Sequence, residues 1–196
     1  MPVQSGMHFF LNWAKERIDE MDATLASLES KAGEVQADSR AKANQLITDL
    51  QKQRDAFRET VEKQAEAGEA VWARTKAQLE TEWVGFENEV AKYIDTFGRQ
   101  IGQQQATFQH LVVAQLRAWR EVADKVRDAA GEFGAERRGE IDASVARMKA
   151  DAGTAEEKLQ KLARAGTESW SALNAALAET RTAFDRANQT ARDAFK

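Results

Sequence analysis

The 196-residue chain carries 31% charged residues, a formal net charge of −4 and no cysteine. Ala, Glu, Lys, Leu, Arg and Gln dominate, a mixture suited to long helices or coiled coils, and the missing cysteine excludes a disulfide framework, a thiolate nucleophile and a cysteine-ligated metal. Charge is uneven, with 18 acidic and 12 basic side chains in residues 1–98 against 14 and 16 in residues 99–196; the one basic doublet, Arg137-Arg138, is flanked by Glu136 and Glu140, so nucleic acid is not an expected partner.

In chain order, Met1 to Gly6 reads as a flexible leader, and helical periodicity begins at Met7 as a single elongated domain spanning 7–196. Leu11, Ala14, Ile18, Met21, Leu25, Leu28, Ala32 and Val35 then follow alternating steps of three and four, the heptad of a left-handed coiled-coil seam. Phe10 joins that seam, while Phe9 and Trp13 extend its apolar face sideways and are expected to pack on a C-terminal block around Phe184 and Ala191. From about Leu46 the spacing becomes eleven. Leu50, Val61, Trp72, Trp83 and Ile94 form one series, and Phe86, Phe97, Phe108 and Trp119 another, which implies straight or slightly right-handed packing. The pattern weakens around residues 123–144, and a heptad returns in Trp170, Leu173, Leu177, Thr180, Phe184, Ala187 and Ala191.

The only proline is Pro2, so glycine supplies the punctuation. The order heptad, hendecad, heptad is close to a mirror. The expected fold is all-α, an elongated antiparallel hairpin or bundle of very long amphipathic helices with a turn near 98–103, at Gly98 and Gly102. Folding back there sets Ile18 against Phe184, Val61 against Ile141 and Trp83 against Trp119, and arms of about 90 residues at 1.5 Å per residue would reach roughly 135 Å. Turns near Gly68 and at 131–134, or an extended antiparallel dimer, are the alternatives. Asp38/Lys42, Glu59/Lys63, Glu121/Lys125 and Glu157/Lys161 stand acid-first at i,i+4, as solvated helix pairs do.

Chemistry is sparse. His8 and His110 lack a glutamate at the spacing of helical metal motifs and offer no triad for a serine or threonine nucleophile. Gly131-Glu-Phe-Gly134 matches neither a dinucleotide fingerprint nor a P-loop. No catalytic residue, cofactor or metal site is expected. No apolar run approaches the roughly 20 residues of a membrane span, and no signal-peptide pattern is visible, which makes a cytoplasmic location the expectation.

Aromatic residues carry most of the information. Phe9, Phe10, Trp13, Trp72, Trp83, Phe86, Phe97, Phe108, Trp119, Trp170 and Phe184 fall on the apolar stripe and form the candidate interaction surface, too bulky for a narrow two-stranded seam. In its eleven-residue series, over roughly residues 46–122, the chain resembles exchangeable apolipoproteins and bacterial long-helix proteins with such repeats, though it lacks the prolines that punctuate apolipoproteins. The resemblance implies reversible coating of a lipid or polymer surface, as in granule-coating phasins. Two functions therefore stand: a non-catalytic scaffold that self-associates into homo-oligomers through long helices, and an amphipathic coat on a lipid, granule or other apolar surface.

Overall fold

The structure is a computed structural model that describes residues 3–68, 71–166 and 168–195, with side chains described from residue 9 onward. Among these residues the chain is all-helical, without strands. Helix α1 (Val3–Lys31) leads through a 3₁₀ turn (Ala32–Glu34) to α2 (Ala37–Ala67) and then α3 (Trp72–Tyr93). A π-helical turn (Ile94–Gly98) and a 3₁₀ turn (Arg99–Ile101) connect to α4 (Gln103–Ala129). A further 3₁₀ turn (Ala130–Glu132) precedes α5 (Ala135–Ala165) and α6 (Trp170–Ala194). Helix α1 thus starts at Val3, within the segment read as a leader; Met1 and Pro2 lie outside the described residues.

The architecture is a repeat. Ala32-Gly33-Glu34 recurs 98 positions later as Ala130-Gly131-Glu132, each forming the 3₁₀ turn of its half. In both halves an arginine staples that turn: Arg40 donates to the carbonyls of Gly33 and Val35 at 2.9 and 3.2 Å, and Arg138 donates to those of Gly131 and Phe133, both at 3.2 Å. Helices α2 and α5 are each 31 residues long, end at the positive-φ glycines Gly68 and Gly166, and are followed by helices opening on Trp72 and Trp170. The chain is therefore two three-helix units, α1–α3 and α4–α6, built on one plan.

Helices α1 and α4 form the centre and run antiparallel. Contacts climb α1 as they descend α4, from Lys15–Glu121 through Glu20–Gln115 to Ser27–Thr107. Around them lie α2 and α3 on the α1 side and α5 and α6 on the α4 side, with α6 also packed on α1. Between residues 9 and 30 only Ala26, Glu29 and Ser30 of α1 are exposed. One apolar cluster joins α1, α2 and α3 through Phe10, Trp13, Leu28, Leu50, Phe57 and Phe86; two others hold α4, α5 and α6 together.

The long two-armed hairpin is thus corrected to a bundle about 45 Å long, the length of a helix of some 30 residues. Gly98 and Gly102 explain the central turn. Gly102 has φ 65°, and a Cβ on Gly98 would come within 2.7 Å of the Gln103 Cβ, so neither tolerates a side chain without strain. Away from the turn, the expected register is met between α1 and α6, where Arg17 meets Asp185 and Glu20 meets Arg181, although Ile18 and Phe184 themselves pack into different clusters. Val61 and Ile141 lie in separate clusters, as do Trp83 and Trp119.

Candidate functional site

All eleven aromatic residues of the expected interaction surface turn inward. Phe9, Phe10, Trp13, Trp83, Phe86, Phe108, Trp119 and Phe184 are buried, and Trp72, Phe97 and Trp170 are half-buried. They form local groups rather than one continuous stripe. Phe10 stacks on Trp13 and meets Trp72 edge-on, with ring centroids 6.0 and 6.1 Å apart. Trp83 stacks on Phe86 at 6.1 Å, and Trp119 meets Phe184 at 5.7 Å. Phe9 lies in the cluster of Phe184 and Ala191, as its spacing suggests. Trp13 instead faces Phe57 of α2 at 6.4 Å, because four residues at 3.6 per turn rotate it about 40° round α1 from Phe9, onto the side that α2 covers. Among the described residues the exposed large apolar side chains are Val71, Val84 and Val113, too few and scattered for an apolar docking patch.

What the periodicity did not reveal is a buried polar seam where α1 meets α6, α3 and α4. Glu16, Arg17, Glu20 and Arg181 are all buried, Glu20 to 0% exposure. Arg17 donates through both terminal nitrogens to the Asp185 carboxylate at 2.9 and 2.7 Å, and also to Glu16 at 2.6 Å. Arg181 forks onto Glu20 through Nε and Nη2 at 3.0 and 2.9 Å and reaches Glu87 of α3 at 3.1 Å. Gln115 of α4 donates to the same Glu20 carboxylate at 2.7 Å and to the Leu177 carbonyl at 3.1 Å. Each guanidinium lies over an indole, Arg17 on Trp13 at 4.8 Å and Arg181 on Trp83 at 4.7 Å, an attraction strengthened by desolvation.

Four carboxylates surround two cations, so proton affinities diverge. Burial, with the neighbouring Glu20 charge, pushes Glu16 well above the ordinary carboxylate range. Burial alone would also raise Glu20, but the Arg181 charge and hydrogen bonds hold it below that range. Of the two carboxylates, Glu16 is therefore the readier to take up a proton. Burial also raises Glu87 despite Arg181. Split affinities of this kind are used in acid–base sites. Here, however, the adjoining cavity of about 20 Å³, bordered by Glu20, Thr24, Trp83, Glu87, Trp170 and Arg181, has room for one water. A second polar group lies along the α1–α4 contact, where Gln103 donates to Ser27 and Thr107 at 3.1 Å each and the two hydroxyls stand 3.0 Å apart.

On the surface, Glu59 and Lys63 form their expected pair at 2.7 Å, whereas Glu121 turns across the bundle to Lys15 at 2.8 Å. His110 is exposed, and the side chain of His8 lies outside the described residues. Among the described residues no group of three His, Cys, Asp or Glu side chains is placed to hold a metal, and no helix is long and apolar enough to cross a membrane.

The i,i+4 spacing of Glu16 and Glu20 is ordinary for a solvated face. One signal could have exposed the seam: the stretch from Phe9 to Leu28 is apolar on more than half of its circumference, so acids within it must also meet other helices. Compared with known proteins, the chain matches no family model, no curated sequence and no solved structure.

Proposed function

We propose that this chain is a non-catalytic amphipathic coat protein, stored as a closed bundle that opens to lay its helices on a lipid, polymer-granule or other apolar surface. The observation that carries this reading is the combination of an inward-turned aromatic stripe with a polar seam through the middle of the bundle. A scaffold associating through its apolar stripe needs that stripe available, yet here it is consumed within one chain. Buried ion pairs hold a bundle together less strongly than apolar packing of the same volume, so the contact of α1 with α4 and α6 is the one most easily exchanged for another apolar environment. Opening about the Gly98–Gly102 turn releases amphipathic helices of 22 to 31 residues, long enough to lie in a membrane interface.

The absence of cysteine makes the test clean. Ser27→Cys with Thr107→Cys, whose hydroxyls are 3.0 Å apart, staples the two halves together. Gln64→Cys with Thr75→Cys, whose side chains are hydrogen-bonded across α2 and α3, is bridged by a short bismaleimide because the reach of a glutamine exceeds that of a disulfide, and so staples one half internally. Flotation with phosphatidylcholine–phosphatidylglycerol vesicles and with triglyceride emulsion should recover the unmodified chain and the internally stapled one. The cross-half staple should block flotation until it is reduced. Failure of the unmodified chain to float on either surface, with concentration-dependent assembly instead, would favour the self-associating scaffold.

A further inference from the structure

The two halves share a backbone plan but do not fill it alike. In the first half Phe57, 0% exposed, packs against Trp13 between α2 and α1. The residue 98 positions later is Ala155. Around it the second half has a groove of about 600 Å³ between α5 and α6, with Trp119 and Met148 among its lining residues and Ala155, Ala183 and Ala187 along it. That volume lies within the range of small-molecule sites. Trp119, 1% exposed, closes the inner wall of that groove.

The rim determines the ligand's charge. Lys158 and Glu179 neutralise each other at 2.6 Å. The remaining charged residues lining the groove are Arg147, Asp151 and Arg186, two cations against one anion, and among the described residues neither arginine has a carboxylate within 4.0 Å. The groove therefore combines alanines that leave room for an aliphatic body, an aromatic wall and a single uncompensated positive charge.

We propose that the α5–α6 groove binds one amphipathic carboxylate, its aliphatic chain over Ala155 and Ala187 against the Trp119 wall and its charge held by Arg147 and Arg186. Binding here needs no opening of the bundle and is independent of the coat function.

Decanoate, kept below its micelle concentration, is the probe, with decanol and decyltrimethylammonium as neutral and cationic controls. Calorimetry of the intact chain should give saturable one-to-one binding of decanoate, weaker binding of decanol and none of the cation. Ala155→Phe, which restores the residue of the first half, should abolish binding while leaving the helical circular dichroism spectrum and melting temperature intact. Arg147→Gln or Arg186→Gln should weaken decanoate about tenfold, the worth of a charge-assisted hydrogen bond, without changing decanol. Trp119→Phe should remove the ligand-induced change in tryptophan emission. Non-saturable partitioning, equal uptake of all three amphiphiles, or undiminished binding by a folded Ala155→Phe chain would overturn the proposal.

Discussion

The two three-helix halves differ least where the backbone turns and most where they touch each other. Ala32-Gly33-Glu34 with Arg40, Gly68 and Trp72 reappear unchanged as Ala130-Gly131-Glu132 with Arg138, Gly166 and Trp170. Along the central pair, by contrast, Glu16, Arg17 and Glu20 of α1 are matched 98 positions later by Ala114, Gln115 and Ala118 of α4. Turn chemistry is a local demand on φ, ψ and carbonyl partners, so both copies meet it with the same residues. The contact between copies is a demand for complementarity, which identical faces cannot meet when charge is buried. Two α1 helices facing each other would oppose acid to acid, whereas α1 facing α4 and α6 meets Gln115 and Arg181. The divergence thus specifies which halves pair.

Removing the cation is expected to break that specification most severely. Arg181→Leu leaves Glu20 and Glu87 without their shared guanidinium, and the cost should be about 3–5 kcal/mol, as for other broken buried pairs. Gln115→Ala, on the opposite helix, removes only a neutral donor and should cost about 1–2 kcal/mol. Urea denaturation of the two variants measures the contrast. Similar losses would mean that the seam is held by packing rather than by charge.

Leu79 and Leu177 are equivalent residues of α3 and α6, each 0% exposed. Replacing either by Ala should cost about 2–5 kcal/mol through lost burial and the cavity left behind. If the halves unfold as one unit, both variants shift the midpoint and keep the slope of the denaturation curve. A shallower or biphasic curve for one of them would show that the halves unfold separately.

The helices and their inward faces were readable because periodicity records burial directly. Of the helix ends, those near 68, 98–103 and 131–134 were marked by glycine, though as alternatives rather than together, while those at 32–36 and 166–169 went unread, because the turns conserve the phase of the pattern. Val35, just beyond the Ala32–Glu34 turn, is buried like the heptad residues before it. The series Leu50, Val61, Trp72 and Phe97, Phe108, Trp119 run through the breaks at 68–71 and 98–102 for the same reason. Without proline, only glycine marked those breaks, and Gly85, Gly139 and Gly153 lie inside helices. The 98-residue repeat is present in the sequence at its turns, but its core residues have diverged, so a search for apolar period alone passes over it. The buried acids were hidden by charge: Glu16 and Glu20 read as solvated until α6 supplies Arg181.

Proton uptake by Glu16 gives a smaller, pH-dependent effect. Its affinity in the folded chain is raised above the ordinary carboxylate value of 4.5, so between that value and the raised one the folded chain binds more protons than the unfolded chain. Stability therefore falls as pH rises through this window. Glu87 acts in the same direction, while Glu20, whose affinity is lowered, contributes stability that is lost as pH falls through its folded value. Glu16→Gln keeps a donor towards Glu20 but cannot ionise, and should flatten the decline in melting temperature as pH rises above the ordinary carboxylate range. An unchanged slope would place the buried proton elsewhere in the seam.

The least effect is expected where the halves differ in helix capping. Ser169 precedes α6 with extended backbone, and its hydroxyl accepts from the Ala172 amide at 3.2 Å; Ser169→Ala should cost about 1 kcal/mol. Its counterpart before α3 is Val71, 43% exposed and without an oxygen to offer. Val71→Ser supplies that oxygen, but the backbone there has φ −115° and ψ 1°, whereas capping geometry requires the extended region. The gain should therefore be only a few tenths of a kcal/mol, below the full value of a good cap. Thermal melts of the single and double variants measure both sides. A gain equal to the loss at Ser169 would mean that Val71 readily adopts the extended backbone of Ser169, and that the two positions differ in side chain rather than in backbone.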